Sequence, residues 1–259
     1  EVIVSCGAIK SPQLLMLSGI GSAETLNAMN ITPQINLPGV GQNLQDHLSI
    51  DSAYFCKKPI TLHTLTHPMK KLSIGLKWLA IRSGIGASHI WEMGGLVFGN
   101  DQVAHPNLQY HFTPVYSDWH NRKIRPQQGY VLTCDQLRPK SRGEVKLLSA
   151  DPHDRPASHF NYMGHPDDTR ELVEALKVMQ ELLTQPAFDE FRGERINPAP
   201  EAKTDSELEA WVRGYSSTDY HPCGTCRMGH DDLAVVDGQL RVHGVDHLRV
   251  VDASVMPNI

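Results

Sequence analysis

The ten residues YHPCGTCRMG, from Tyr220 to Gly229, place a histidine on a turn rich in glycine and proline. Such a turn can present an imidazole to a pocket instead of packing it in a core. The ordinary pKa of histidine, about 6.5, lets that imidazole exchange a proton near neutral pH. Among the fourteen histidines of the chain, the surrounding motif therefore singles out His221 as the candidate catalytic acid or base.

The same turn contains a second arrangement with chemical potential, because Cys223 and Cys226 form a CxxC pair. Cysteines at this spacing can act as a redox dithiol or supply half of a zinc site. The sequence has no second CxxC and no thioredoxin-like context around the first. We expect no bound metal, and we keep a thiol or zinc module as an alternative reading of the turn.

Apolar periodicity indicates which elements position these residues. The predicted strands are Glu1–Ser5, Ser52–Cys56, Leu108–Val115, Tyr130–Gln136, Glu144–Leu148, Leu240–Val242 and Leu248–Val251. The predicted helices are one capped by Ser11 with Pro12 in its first turn, Pro68–Arg82, Pro166–Gln185, and one opened by a Thr204–Glu207 capping box. Strands that alternate with helices, with several strands grouped in the middle, indicate an α/β chain with a sheet-built insert.

The composition limits which partners and which cellular locations we expect for this protein. The formal net charge of −5 argues against nucleic acid, because phosphate binding needs a basic face. The longest apolar patch, Leu72–Ile81, contains Lys77 and is much shorter than the roughly 18 residues of a membrane span. We therefore expect no integral membrane segment, and no block of lysine and arginine points to anionic lipid. Five cysteines, an odd and sparse set, favour reduced thiols in the cytoplasm; association with a membrane surface is left open.

Three segments together resemble the glucose–methanol–choline oxidoreductases, a family of flavoenzymes that oxidise alcohols. The segments are GAIKSPQLLMLSGIG (Gly7–Gly21), GVGQNLQDH (Gly39–His47), and YHPCGTCRMG together with LRVVDASVMP (Leu248–Pro257). The first looks like the second signature of the family, the next is similar to the loop that follows it, and the last pair resembles the active-site turn and a flavin-contacting strand. PKSRGEVKL (Pro139–Leu147) is similar to the family's substrate-domain sheet. Within the family, the likeness is to choline dehydrogenase and related bacterial alcohol dehydrogenases.

The resemblance implies a fold: the C-terminal part of a FAD-binding Rossmann-like domain with an inserted α+β substrate domain on an antiparallel sheet. It assigns 1–50 to the FAD-binding domain, 51–215 to the substrate-binding domain, and 216–259 to the FAD-binding domain again. Family members begin with a glycine-rich GxGxxG motif and end with a segment carrying a second catalytic histidine or asparagine, and this sequence has neither. We therefore expect a C-terminal portion of such an enzyme.

The resemblance also implies roles for individual residues at the cofactor. His221 matches the histidine that takes the substrate's hydroxyl proton beside the flavin, because hydride leaves an alcohol carbon easily only as the oxygen loses its proton. The positions that match family contacts to FAD are Cys6, Gly7, Ala8, Asp252 and Ala253. The first three correspond to a small-residue turn near the adenine side, and the last two to the ribityl-phosphate region. A turn-capping aspartate and simple strand-to-helix packing are the alternatives.

Two further residues are candidate substrate contacts. Tyr220 matches an aromatic that lines the pocket of choline-oxidising members, and an aromatic face attracts a quaternary ammonium by roughly 0.5–2 kcal/mol; packing at a domain interface is the alternative. Glu92, in GASHIWEMGG, matches a glutamate that helps hold a cationic substrate, and a surface glutamate is the alternative. His89 and Ile90 replace an asparagine–histidine pair of the choline pattern, which counts against choline itself.

The function implied by the resemblance is FAD-dependent oxidation of a small primary alcohol, choline-like or other, to an aldehyde by hydride transfer to the flavin. The identity of the electron acceptor stays open. The rival hypothesis is a non-catalytic fragment that lacks the dinucleotide-binding half and binds no flavin by itself.

Overall fold

The computed structural model describes residues 1–91, 93–118 and 123–259, and at 118 and 123–125 it describes the backbone alone. These residues form two compact units. Unit 1 is Glu1–Leu48, Arg138–Asp168 and Thr218–Ile259, and unit 2 is Ser49–Leu137 and Thr169–Ser217. The chain therefore returns twice to unit 1. Arg138–Asp168 clusters with that unit, whereas the predicted division included it in the substrate-binding domain; which unit holds cofactor and which holds substrate stays a prediction.

All four predicted helices are present, and the first of them begins earlier than predicted. The structure describes five helices. They are α1 (Gly7–Leu17), α2 (Ala23–Ala28), α3 (Pro68–Ile81), α4 (Pro166–Leu183) and α5 (Asp205–Tyr215). The apolar stripe of α4 is buried, and α5 begins with the reciprocal capping box between Thr204 and Glu207. Over the part of the chain that the structure describes, every helix is too short or too polar to cross a bilayer.

The strands are short in unit 1 and longer in unit 2. In chain order they are β1 (Val2–Val4), β2 (Ile20–Gly21), β3 (Ile35–Asn36), β4 (Gln42–Leu44), β5 (Leu48–Cys56), β6 (Met93–Val97), β7 (Leu108–Thr113), β8 (Tyr116–Asp118), β9 (Lys123–Gln127), β10 (Gly129–Gln136), β11 (Gly143–Lys146), β12 (Ala157–His159), β13 (Arg192–Asn197), β14 (Ser217–Thr218) and β15 (Leu248–Val250). Most predicted strands are therefore present with small shifts at their ends.

Unit 1 combines parallel and antiparallel pairs around one apolar core. Strands β1 and β15 pair in parallel, as do β2 and β3, while β11 lies antiparallel between β12 and β4. The inward residues of these strands and of α1 form a core of valine, leucine, isoleucine and methionine. Strand β1 leads directly into α1, and β15 ends beside α1. The core therefore fixes the position of the turn that starts α1 and of the turn that follows β15.

Unit 2 is built on an antiparallel sheet with the order β13, β5, β10, β7, β6, in which β14 also pairs with β5. On the central strand, Cys134 of β10 lies between Ile50 of β5 and Tyr110 of β7. The Tyr110 hydroxyl donates to the backbone carbonyl of Ala175 at 3.3 Å, which ties α4 to this sheet. The sheet-built insert expected from the sequence is thus confirmed.

The predicted strand Leu240–Val242 is wrong, because side-chain hydrogen bonding replaces strand pairing there. The Asp237 carboxylate accepts from the backbone N–H groups of Gln239 and Arg241, at 2.8 and 3.0 Å. Leu240 takes a left-handed backbone conformation with φ 66°. An aspartate that captures neighbouring amides favours a turn over an extended ladder, and only isolated bridges remain at Arg241 and Val242.

The predicted start of the first helix is also wrong, since α1 begins at Gly7 and Ser11 and Pro12 lie inside it. Proline has no N–H for the carbonyl four residues earlier, here that of Ala8. The hydroxyl of Thr225 donates to that carbonyl at 2.5 Å, in a fully buried position. A side chain from a distant part of the sequence therefore makes the interior proline tolerable.

Candidate active site

A buried carboxylate holds the turn that carries His221. Asp46, which is only 3% exposed, accepts hydrogen bonds from the Tyr162 hydroxyl at 2.5 Å, the Thr218 hydroxyl, and the His221 backbone N–H at 2.9 Å. Charged acceptors make hydrogen bonds stronger than neutral ones, and a buried carboxylate is stable only when donors surround it. The three donors therefore fix the backbone on both sides of Tyr220.

The electrostatics of Tyr162 agree with this role. Burial raises the pKa of its phenol well above the ordinary value, and the neighbouring Asp46 carboxylate raises that pKa further. Tyr162 is thus protonated at neutral pH and donates to Asp46. Local sequence pattern singles out neither residue, although Asp46 is the one acidic side chain in the GVGQNLQDH motif.

The imidazole of His221 is exposed and available. Its ring contacts the ring of His47 edge-on, with centroids 5.7 Å apart. Within the described part of the chain, the ring nitrogens of His221 make no hydrogen bond, so both can engage an incoming group. The turn therefore fixes the backbone of His221 through Asp46 and leaves its side chain free to hold or release a proton.

Tyr220, just before this histidine, has a backbone conformation that costs energy. Its φ of 63° is left-handed, which is unfavourable for a residue with a β-carbon. The Tyr220 backbone N–H donates to the Thr218 hydroxyl at 2.9 Å, which helps to hold that conformation. The side chain is 84% exposed, so the phenol ring is presented outward.

The other end of the turn is joined to a single turn of 3₁₀ helix at Ala253–Val255. The backbone N–H of Gly224 donates to the Ala253 carbonyl at 3.1 Å, and that of Cys226 to the Ser254 carbonyl at 2.8 Å. Gly224 has a φ of +89°, and a β-carbon there would lie 2.5 Å from the backbone oxygen of Asn43. Only glycine fits this position, which explains the glycine of the motif.

The two cysteines of the turn are packed in the interior. Burial raises the pKa of Cys223 to about 11 and that of Cys226 to about 12, so both thiols are protonated at neutral pH. Thiolates are the form that attacks disulfides and binds zinc, and the surroundings here disfavour it. Over the described residues, no group of three or more histidine, cysteine, aspartate or glutamate side chains could hold a metal ion.

Asp252 ties the start of α1 to the end of β15. Its carboxylate accepts from the Gly7 backbone N–H at 2.9 Å, the Ser11 hydroxyl at 2.5 Å and the Ser254 backbone N–H at 2.8 Å. Burial by itself would raise the pKa of Asp252, but these hydrogen bonds outweigh it and lower the pKa below the ordinary value. The ionised carboxylate therefore joins two segments that lie 245 positions apart in the sequence.

The start of α1 is shaped for close approach by another group. Gly7 has a φ of +82°, and a β-carbon built there would meet no atom within 4 Å. Cys6 precedes the helix, and its side chain makes no capping hydrogen bond. The first turn of α1 contains no acidic residue. The Asp252 carboxylate already accepts the Gly7 N–H, so what this helix start offers is open space over small residues, where another group can approach the backbone closely.

The structure brings together seven of the eight site residues predicted from the sequence. All seven belong to unit 1: Cys6, Gly7, Ala8, Tyr220, His221, Asp252 and Ala253. They are linked directly, since Asp252 binds Gly7, Ala253 binds the turn at Gly224, and Thr225 binds Ala8. The eighth, Glu92, lies outside the described residues. The roles of all eight remain predictions.

Comparison with known sequence families gives one consistent result. A profile described as GMC oxidoreductase, for the N-terminal region of that family, matches residues 1–49, and a second profile for its C-terminal region matches residues 139–259. The matched ranges contain every segment of the site just described.

Individual relatives extend the match over the whole chain. The oxygen-dependent choline dehydrogenase of Escherichia coli O17:K52:H18 (strain UMN026) is 45% identical over 259 residues, which is 100% of this chain and 47% of the relative. Formate oxidase of Aspergillus oryzae RIB40, in a structure concerned with FAD modification, superposes with a TM-score of 0.92 at 28% identity over 100% of this chain and 50% of that one. Pyridoxine 4-oxidase of Mesorbium loti gives a TM-score of 0.81 at 27% identity, over 100% and 47%. The chain spans about half the length of the curated relatives it matches.

Replacement of Thr225 tests the link between the turn and α1. Thr225→Val keeps the shape but leaves the Ala8 carbonyl buried and unpaired, so we expect a loss of about 1–3 kcal/mol in the free energy of unfolding. Urea-induced unfolding followed by circular dichroism measures it. Thr169→Val is the matched control, because the Thr169 hydroxyl is buried and makes no hydrogen bond. Equal stability of Thr225→Val and the control would contradict the proposed link.

Proposed function

The chain belongs to the GMC oxidoreductase family, and from that premise we propose that it serves to oxidise a small primary alcohol to an aldehyde, with FAD as hydride acceptor. The single observation that supports this most is the direct joining of the exposed His221 turn to the small-residue start of α1. One hydrogen-bonded assembly thereby offers a proton-exchanging side chain and a place for an anionic cofactor.

The residues present fit the FAD that this family uses. The open space at Gly7 and the small side chains of Ala8 and Ala253 suit the close approach of a dinucleotide to the backbone. Cys6 and Asp252 complete the set that would hold it, with Asp252 fixing the backbone of Gly7. When bound, FAD supplies the two-electron acceptor that no amino-acid side chain can provide.

His221 carries out the acid–base part of the proposed reaction. The alcohol loses two hydrogens: the hydroxyl proton passes to the imidazole, and the hydrogen on the adjacent carbon leaves with its electron pair as hydride. As the O–H bond breaks, the C=O bond forms and an aldehyde results. The free ring nitrogens support this role, and the Asp46 hydrogen bond to the His221 backbone N–H fixes the backbone from which the ring extends.

The names of the relatives give different substrates for different members of the family. The chain's own residues must therefore select the alcohol. The likeness to a choline dehydrogenase over the full chain favours a small alcohol with a positive charge. The exposed Tyr220 ring supports that choice, because an aromatic face attracts a quaternary ammonium. We propose Glu92 as the carboxylate partner of that charge, and His89 and Ile90 as the positions where this pocket differs from a choline site.

Removal of the imidazole tests the acid–base role. In the FAD-loaded protein we expect His221→Ala to lower kcat by about 100- to 10,000-fold, the usual contribution of a general acid or base. Flavin content should stay near the original, because the backbone N–H that binds Asp46 is unchanged. His230→Ala, an exposed histidine of the same segment, is the control and should retain its activity. A His221→Ala protein that turns over at the original rate would refute the role.

Neutralisation of Glu92 tests the substrate class. We expect Glu92→Gln to raise KM for a quaternary ammonium alcohol by about tenfold, the loss of one favourable charge interaction, and to change KM for a neutral alcohol of similar size very little. Steady-state kinetics with the two alcohols give the comparison. Asp101→Asn removes an exposed carboxylate nearby in the sequence and serves as the control. Equal changes for both alcohols would exclude a cation-selective pocket while leaving alcohol oxidation itself intact.

A further inference from the structure

Two histidine rings meet at the His221 turn because of how two backbone segments pair. Gln45 and Cys223 form an antiparallel bridge, in which the Gln45 N–H donates to the Cys223 carbonyl at 3.1 Å and the Cys223 N–H donates to the Gln45 carbonyl at 2.9 Å. In that register, the residue two positions after Gln45 is His47, and it lies opposite His221. Opposite residues of an antiparallel pair place their side chains on one face, with β-carbons about 4.5–5.5 Å apart. The backbone pairing therefore brings the two imidazoles together.

The backbone of His221 is restrained on both sides, but its side chain is not. The His221 N–H donates to the buried Asp46 carboxylate at 2.9 Å, and the following Pro222 limits the backbone conformations that His221 can adopt. Neither restraint acts on the two side-chain torsions, of which the first has three staggered positions and the second has a broad range. The side chain is exposed, and its ring nitrogens make no hydrogen bond within the described residues. The orientation of the ring therefore depends on other contacts.

The ring of His47 supplies such a contact. The centroids of the His47 and His221 rings are 5.7 Å apart and the ring planes are 89° apart, so one ring presents its edge to the other. This arrangement is favourable because the edge of an aromatic ring is positive and its face is negative. Of the aromatic rings in the described part of the chain, that of His47 is the one in contact with His221.

His47 is held more firmly than the residue that it contacts. It lies between Asp46 and Leu48, which are only 3% and 4% exposed, and its backbone carbonyl accepts from the Asp219 N–H at 3.2 Å. The side chain of His47 is partly buried, whereas that of His221 is exposed. The His47 ring is therefore the fixed partner of the pair, and the contact decides the orientation of the His221 ring.

We propose that His47 is a positioning residue, whose ring selects the orientation in which the His221 imidazole takes the proton of the alcohol. This inference rests on the acid–base role proposed for His221. A proton passes efficiently only between a donor and an acceptor about 2.6–3.2 Å apart, and an imidazole that turns away from the substrate loses that distance. His47 takes no part in the proton transfer itself, because its role depends on the shape of its ring and not on a nitrogen.

Three replacements of His47 separate the ring from its nitrogens in the FAD-loaded full-length protein. His47→Ala removes the side chain, His47→Gln keeps a polar side chain without a ring, and His47→Phe keeps a ring without nitrogens. We expect kcat to fall by about three- to tenfold in the first two, the factor by which such a ring contact favours one orientation, and to stay within about twofold in His47→Phe. KM should change little in all three, because His47 acts on the His221 ring and not on the substrate.

The order of the His221 ring is measured directly by NMR relaxation of the full-length protein with isotope-labelled histidine rings. The signals of His221 are those that disappear in His221→Ala. We expect their order parameter to fall in His47→Ala and His47→Gln, and to stay near the original in His47→Phe. This readout needs no turnover, so it tests the positioning contact separately from alcohol oxidation.

Controls separate the ring contact from loss of fold. His230→Ala removes an exposed histidine of the same segment and should leave kcat and the order of the His221 ring unchanged. Flavin content and the midpoint of thermal unfolding are compared for every variant. Unchanged kcat or unchanged His221 ring order in His47→Ala would overturn the proposal, as would a His47→Phe protein that loses as much ring order as His47→Ala. A protein whose ring order responds as expected but which oxidises no alcohol would contradict the proposed function alone.

Discussion

The carboxylate of Asp46 accepts hydrogen bonds from two separate stretches of chain, at Tyr162 and at the turn that contains Thr218 and the backbone of His221. It lies out of water, where an ionised acid is tolerated only with such donors around it. This requirement works in both directions: the donors keep the charge stable, and the charge keeps the donors in place. The position of the proposed proton acceptor is therefore a consequence of satisfying one buried charge.

The same logic connects the His221 turn to the proposed cofactor site. An interior proline frees the Ala8 carbonyl, and the Thr225 hydroxyl binds it. Asp252 in turn holds the first amide of α1. Each local irregularity, a proline inside a helix or an uncapped helix start, is satisfied by a residue from the other turn. A change in either turn should thus affect both, as expected where two reacting groups must be kept at a fixed separation.

Local sequence pattern predicts the regular helices and strands, but it does not predict the contacts between segments that lie far apart in the sequence. The periodic leucines of α4 and the Thr204–Glu207 pair predicted their helices because those signals act within one element. Ser11 and Pro12 predicted a helix start that the structure rejects, since Thr225 compensates the proline from more than two hundred positions away. The role of Asp46 is hidden from local pattern for a similar reason, because its donors come from two other segments, at Tyr162 and at Thr218 and His221. Periodicity predicts which residues of α3 share a face, but it does not predict whether that face points to a core or to solvent.

The central claim is that Asp46 positions His221 for proton transfer. The most direct measurement is kcat per bound FAD for Asp46→Asn, alongside the pH dependence of turnover. Asparagine has nearly the same shape, but its amide N–H₂ group cannot accept hydrogen bonds from these donors. We expect a fall of about 100-fold or more with FAD still bound, and a shifted pH profile. Turnover and pH profile unchanged from the original protein would contradict it.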